Sequence, residues 1–129
     1  MLPKAILPAL PACSLVAGLL CAAAAATAQP LPRSHIASPE VYTVIAENEQ
    51  YLVIAATWKP GQKDKPHAHA SSGVYVLTDC SLRYYNADGK LLAEGHPVAG
   101  RAVVQNPIAG HIVENVGNGD CKLIMFEPK

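Results

Sequence analysis

From residue 41 onward, the chain alternates short runs of β-branched, aromatic and aliphatic residues with turn-forming residues, and no other feature constrains the fold as much. The clearest runs are residues 41–45, 51–58, 73–78, 81–85, 102–104 and 122–126. Asp88-Gly89 favours a hairpin turn, because this pair tolerates positive φ. Since no convincing helical period follows residue 40, the pattern predicts about eight strands in an antiparallel, all-β sandwich or barrel.

The first 28 residues differ in character from the rest of the chain. Lys4 is their only charge, an apolar stretch covers residues 6–26, and the stretch closes with Ala-Thr-Ala at residues 26–28. These are the parts of a secretory signal peptide, so we expect cleavage near Ala28 and export to the periplasm or the medium. A retained membrane anchor is less favoured because prolines break the stretch. Lipid attachment at Cys21 is also less favoured, because a leucine precedes it.

The remaining chain is long enough for one domain. Residues 29–40 are polar, contain three prolines and predict a flexible leader, and residues 41–129 form the predicted domain. After removal of Lys4, nine basic residues face ten acidic ones and no basic patch stands out. We therefore expect neither nucleic-acid binding nor a stable membrane anchor.

Two cysteines, Cys80 and Cys121, remain after signal cleavage. In an exported chain they are expected to form a disulfide. It would close a loop of about forty residues and stabilise the fold by roughly 3–4 kcal/mol. The alternative is a pair of buried free thiols.

Three histidines offer the best candidate site. His67 and His69 are two residues apart, so in a strand both side chains point to the same face. His111 lies on a later strand. Taken alone, a histidine pair of this kind is more commonly a solvated loop pair, and His111 could be a core histidine bonded to backbone. The sequence contains no His-Glu-x-x-His, phosphate-binding glycine loop, nucleophile elbow or Cys-x-x-Cys.

The surroundings of these histidines resemble a known family. The spacing Gly-x5-His-x-His over residues 61–69 is similar to the start of the first cupin motif, and Gly-x10-His-x3-Asn over residues 100–115 is similar to the second. The resemblance covers about residues 41–126. It implies a small single-domain cupin, an antiparallel double-sheet jelly-roll barrel. It also implies a metal ion bound by His67, His69 and His111.

The sequence departs from the family pattern where the first motif should supply a glutamate. That glutamate would fall at Gly73 or Val74, neither of which can ligate through its side chain. If alternation continues from the histidines, Tyr75 faces inward and is a candidate hydrogen-bond donor or distant fourth ligand. Asn115 is a further candidate near the site or the substrate, although it could instead cap the turn before Gly117.

Three imidazoles with an open position are typical of a catalytic rather than a structural metal. The ligands indicate one divalent transition metal, with Zn or Cu favoured and Fe, Ni and Mn left open. The first hypothesis is a metal-dependent enzyme that acts on a small organic substrate, and the resemblance to cupins implies a dioxygenase or isomerase type of reaction. The second is a non-catalytic barrel that binds or senses a small ligand or metal, which the absence of an inward-facing acid would support. The third is a structural barrel with vestigial histidines. The resemblance also implies a homodimer.

Overall fold

Nine strands and one short helix make up the part of the chain that the structure, a computed structural model, describes, residues 29–129. The predicted signal peptide, residues 1–28, lies outside the described residues. The elements are α1 Ser34–Ala37, β1 Tyr42–Glu47, β2 Tyr51–Trp58, β3 His67–His69, β4 Ser72–Val76, β5 Leu82–Asn86, β6 Leu91–Gly95, β7 Ala102–Gln105, β8 Ile108–Asn115 and β9 Cys121–Pro128.

The strands form two antiparallel sheets. Five strands pair in the order β1-β2-β9-β4-β7, and four pair in the order β3-β8-β5-β6. Along β2 the side chains alternate between buried and more exposed, with Leu52, Ile54, Ala56 and Trp58 buried. This period of two is what one buried sheet face requires. The predicted all-β, antiparallel, double-sheet fold is confirmed.

The expected disulfide joins Cys80 to Cys121, whose Cα atoms lie 5.1 Å apart. Cys80 follows β4 and Cys121 begins β9, so the bond ties the loop after one strand to its neighbour in the larger sheet. Both sulfur-bearing residues belong to the buried core.

The turn expected at residues 86–89 connects β5 to β6. Gly89 has φ +86°, a left-handed conformation that favours glycine. The side-chain carbonyl of Asn86 accepts hydrogen bonds from the backbone N–H groups of Asp88 and Lys90. The turn residues therefore act as the sequence predicts.

The segment predicted to be a flexible leader has contacts with the smaller sheet. Arg33 pairs with Ala68 of β3 in an isolated parallel bridge, and Ser34 is fully buried. Leu31 occupies the space where Gly110 lacks a side chain, because a Cβ at Gly110 would come within 2.6 Å of its Cδ1. Prolines and polar residues indicate irregular backbone, but they do not reveal these contacts. Within residues 29–129, no helix has the length and apolar character needed to cross a membrane.

Candidate metal centre

His67, His69 and His111 lie together on two paired strands of the smaller sheet. His67 and His69 are the two ends of β3, and both are buried while Ala68 between them is half-buried. His67 faces His111 directly across the β3–β8 pair. The prediction that the three side chains converge is therefore confirmed, and strand alternation explains the placement of the first two.

The converging atoms are the three Nε2 nitrogens. His67 Nε2 lies 2.9 Å from His69 Nε2 and 3.0 Å from His111 Nε2. One possible ligand atom from each residue lies within 4.8 Å of the others, which is close enough for one metal ion. The pairing of β3 with β8 places His67 directly opposite His111.

The hydrogen-bond partners of the Nδ1 atoms of His67 and His69 determine which nitrogen of each ring carries the proton. His67 Nδ1 lies 2.7 Å from the carbonyl oxygen of Lys65, which can only accept, so Nδ1 must carry the proton. His69 Nδ1 likewise lies 2.6 Å from a carboxylate oxygen of Glu127. In the neutral rings, both Nε2 atoms therefore present lone pairs to each other. Converging lone pairs need a shared proton or a cation between them, and a metal ion satisfies that need.

Glu127 is a residue beside the histidines that the sequence reasoning missed. It lies in β9 and is fully buried, with one oxygen bonded to His69 and the other 2.6 Å from Nη2 of Arg33. Arg33 also donates to the carbonyl oxygen of Pro128. Although burial pushes the pKa of Glu127 up, its hydrogen bonds with His69 and Arg33 hold that pKa below its usual value. The carboxylate thus stays ionised and fixes the ring of His69.

Tyr42 and Asp64 form a second set of contacts that the sequence did not reveal. The Tyr42 hydroxyl donates to Asp64 Oδ2 at 2.8 Å, and its oxygen lies 3.1 Å from His67 Nε2. Because the single hydroxyl proton points to Asp64, an oxygen lone pair faces the histidine cluster. Asp64 also accepts hydrogen bonds from Trp58 Nε1 and the backbone N–H of Val113. The hydroxyl oxygen of Tyr42 is therefore the oxygen atom best placed to act as a fourth metal ligand.

Burial favours the neutral form of His67 and His111. Desolvation is the main cause that lowers the pKa of His111 to about 3, and the neighbouring His67 and His69 lower it further. Desolvation also lowers the pKa of His67, against an opposing effect from the Asp64 charge. Neutral imidazoles are the form that binds metal.

The two other predicted site residues do not reach this cluster. Tyr75 faces outward and is 47% exposed, while Val74 and Val76 are buried. Strand alternation failed here because β3 and β4 belong to different sheets, and the chain reorients between them. Val74 thus lies on the inner face, at one of the two positions where the family's glutamate was expected.

Asn115 is fully buried on the inner side of β8, but its side chain caps a turn. Its amide nitrogen donates to the carbonyl oxygens of Trp58 and Gly119, and its oxygen accepts from the backbone N–H of Gly117. The alternative reading of this residue, a turn cap before Gly117, describes what the structure shows. Asn115 is not placed to touch the metal site.

A cavity of about 520 Å³ opens beside the histidines between the two sheets. His69 and His111 form part of its wall, together with Tyr42 and Trp58. Most of the remaining lining is aliphatic. Its size lies in the range of small-molecule pockets. An ion held by the three histidines would therefore lie beside a space that is large enough for a small organic molecule.

Comparisons with known proteins place the fold. No family model matches the chain, and no curated protein matches its sequence. A cupin domain from Bordetella pertussis superposes with a TM-score of 0.61 at 19% identity, covering 79% of this chain and 99% of that one. An RmlC-like cupin with a double-stranded β-helix fold from Methanocaldococcus jannaschii superposes with a TM-score of 0.53 at 9% identity, covering 68% and 78%. A Klebsiella pneumoniae protein with a double-stranded β-helix domain gives 0.51 at 21% identity, covering 68% and 76%.

These similarities and the two-sheet topology show that the chain has the cupin fold. The histidine cluster lies where the two motif-like sequence stretches meet, on β3 and β8. The chain is thus a cupin-fold protein with three histidines close enough to hold a metal ion.

Proposed function

We propose that this protein is an exported, metal-dependent cupin that acts on a small organic molecule at a mononuclear centre held by His67, His69 and His111. One observation carries the proposal: three histidine side chains converge within ligand distance beside an apolar cavity whose wall includes His69 and His111. The Nε2 atoms of His67 and His69 present lone pairs because Lys65 and Glu127 occupy the opposite side of each ring. A structural site would be closed, whereas this one faces an open space.

Nitrogen ligands suit Zn, Cu, Ni or Fe(II), and they discriminate weakly among them. We favour Zn or Cu, because the three proposed ligands are imidazoles and none is a carboxylate. Hard ions such as Mn would bind least well to such a set. The bound ion would polarise a substrate oxygen or activate a bound water or dioxygen. Isomerase- and dioxygenase-type reactions both remain within this proposal.

The residues of the chain have separate tasks around that centre. Glu127 holds the His69 ring through Nδ1, and Lys65 holds the His67 ring through its carbonyl oxygen. Asp64 keeps the Tyr42 hydroxyl turned so that its oxygen faces the cluster. The aliphatic cavity wall excludes water from the bound molecule, which strengthens polar contacts at the centre.

A second candidate function is ligand binding without turnover. A non-catalytic barrel was expected to lack an inward-facing acid. Buried acids do lie beside the histidines, so this expectation is not fulfilled. However, neither Asp64 nor Glu127 lines the cavity, and no other carboxylate of residues 29–129 does. A substrate there would have no carboxylate as general base. Product formation, followed by mass spectrometry with metal-loaded protein, separates the two functions, since the binding module returns every ligand unchanged.

Export and pairing complete the proposal. The Cys80–Cys121 disulfide supports export, because disulfides persist in oxidising compartments. The outer face of the larger sheet exposes Tyr75, Phe126 and Val104, and such a face supports a homodimer. Analytical ultracentrifugation of the chain from Gln29 tests this pairing, and a monomer at micromolar concentration would contradict it.

A spectroscopic titration tests the proposed centre. Metal-free protein receives Co(II), and azide is then added. We expect visible absorption that saturates at one Co(II) per chain and shifts when azide occupies the exchangeable position. A variant with His67, His69 and His111 all changed to Ala is the control and should give no band. A parent protein without a Co(II) band, or with a band that azide leaves unchanged, would contradict an open metal site.

A further inference from the structure

We infer that the cavity selects apolar molecules carrying one anionic group, a carboxylate above all, and that Arg101 binds this group. The inference rests on the proposed small-ligand function and specifies the chemical class of the ligand. It follows from the lining of the cavity, from the distribution of charge around it, and from the way the loop before Arg101 is fixed.

The cavity wall is largely hydrocarbon. Both sheets contribute to it, and the aliphatic and thioether side chains on the wall include Val74, Val76, Leu82, Val113, Leu123 and Met125. Such a surface favours an aliphatic or aromatic ligand body, because each buried apolar group leaves water on binding. A sugar or another polyhydroxylated molecule would lose hydrogen bonds there without replacement.

Arg101 is the one permanently charged side chain on that wall among the described residues. Within residues 29–129 its guanidinium makes no side-chain hydrogen bond or ion pair, unlike Arg33 and Arg83, which each pair with a glutamate. A guanidinium presents a planar fork that matches a carboxylate. Of the described residues, the cavity wall thus contains one unpaired permanent cation and no acid.

The nearby buried acids do not cancel that charge for a ligand. Both oxygens of Asp64 accept hydrogen bonds from protein donors, and so do both oxygens of Glu127. Neither residue contributes to the cavity wall. A ligand would therefore meet a cation at Arg101, and the proposed metal would add further positive charge at the histidines. An anionic group is favoured over a neutral or cationic one.

The loop that leads to Arg101 is held in place. Gly100 adopts φ +79°, which favours glycine, and its N–H donates to the carbonyl oxygen of Val76. The N–H of Val76 in turn donates to the carbonyl oxygen of Arg101 at 2.9 Å. The N–H of Ala99 donates to a carboxylate oxygen of Asp79 at 2.9 Å. The backbone that presents the guanidinium is thus fixed on the edge of the larger sheet.

Two probes of the same shape test the inference: phenylacetate, which carries a carboxylate, and phenylacetamide, which is neutral. Binding is followed by the fluorescence of Trp58, the single tryptophan of the chain, which lies on the cavity wall. Calorimetry checks each affinity. We expect phenylacetate to bind about tenfold more tightly than phenylacetamide. This factor corresponds to the lower end of the range for a hydrogen bond to a charged group, and we choose the lower end because Arg101 is exposed.

Arg101→Gln should bring the two affinities within about twofold while leaving that of phenylacetamide unchanged. Arg83→Gln is the matched control, because Arg83 is an exposed arginine that pairs with Glu94 and does not line the cavity. It should retain the parent preference. An unchanged preference in Arg101→Gln, or a parent protein that binds neither probe, would overturn the inference.

Metal-loaded and metal-free protein are compared to separate this inference from the proposed function. A preference that survives without metal and disappears in Arg101→Gln supports the role of Arg101 even if the metal proposal fails. A preference that requires metal and is insensitive to Arg101→Gln overturns the inference while the proposed metal function stands.

Discussion

Replacing Glu127 with Gln should weaken metal binding without removing any proposed ligand. Glu127 is fully buried and its oxygens lie 2.6 Å from His69 Nδ1 and 2.6 Å from Arg33 Nη2. The amide retains one acceptor but removes the negative charge that holds His69 in its metal-binding tautomer. It also turns an N–H₂ group toward either His69 or Arg33, and neither can accept it.

The expected size of this effect follows from the type of contact. Losing a hydrogen-bond partner of a ligating histidine typically costs about 10–100-fold in metal affinity, or about 1.4–2.7 kcal/mol. Arg33→Gln leaves the hydrogen bond between Glu127 and His69 in place, so the metal affinity of this variant should fall by an amount near the lower limit of that range. The affinity for Zn(II) is measured by competition with a chromophoric chelator, and thermal unfolding confirms that each variant is folded.

Glu94→Gln is the matched control for this prediction. Glu94 pairs with Arg83 at 2.7 Å, nearly the same distance as in the buried pair, but its side chain is 51% exposed. Its replacement should change the Zn(II) affinity by less than about twofold, as expected for an exposed ion pair remote from the site. A folded Glu127→Gln protein with parent affinity would refute the reasoning that this carboxylate orients His69.

Three further predictions concern stability and processing. Changing Cys80 and Cys121 to Ala should lower the free energy of unfolding by about 4 kcal/mol in urea titrations, because the bond closes a loop with a sequence separation of 41. In the metal-free protein, the free energy of unfolding should fall as the pH drops below 6.5. His111 binds a proton there in the unfolded chain but stays neutral in the folded protein, where its pKa is lowered to about 3. The secreted protein should have the intact mass of a chain that begins at Gln29.

Each of these predictions has a result that would contradict it. Equal urea midpoints for the parent and the cysteine variant would show that the disulfide does not constrain the chain. The pH effect reaches at most about 1.4 kcal/mol per pH unit for one group, and His111→Gln should reduce the slope between pH 6 and 4. An unchanged slope would mean that His111 is not held neutral by burial. A mass that retains residues 1–28 would refute cleavage.

The sequence predicted the strands well because their determinants are local. Runs of β-branched and aromatic residues separated by turn residues define strand ends, and Asp88-Gly89 lies at a turn as expected. The alternation rule also placed His67 and His69 on one face, because both belong to one strand. It failed at Tyr75 because the chain passes from one sheet to the other before β4. Such a change of sheet has no sequence signal.

The residues behind the histidines were missed for a different reason. Glu127 contacts Arg33 across a sequence separation of 94, and no local pattern couples such distant positions. One signal was present, because Glu127 shares its strand face with the buried Cys121 and Met125. An acid at the end of an inward-facing series indicates a buried partner. The contact of Arg33 with that acid could only come from the three-dimensional structure.

The central claim is that the three histidines hold one metal ion, and elemental analysis tests it most directly. Mature protein from Gln29 is purified without a His tag or chelator, beside a variant with His67, His69 and His111 changed to Ala. Inductively coupled plasma mass spectrometry should find close to one transition-metal ion per parent chain and none in the variant. No metal in the parent, even after incubation with Zn, Cu, Ni, Mn and Fe(II), would contradict the claim.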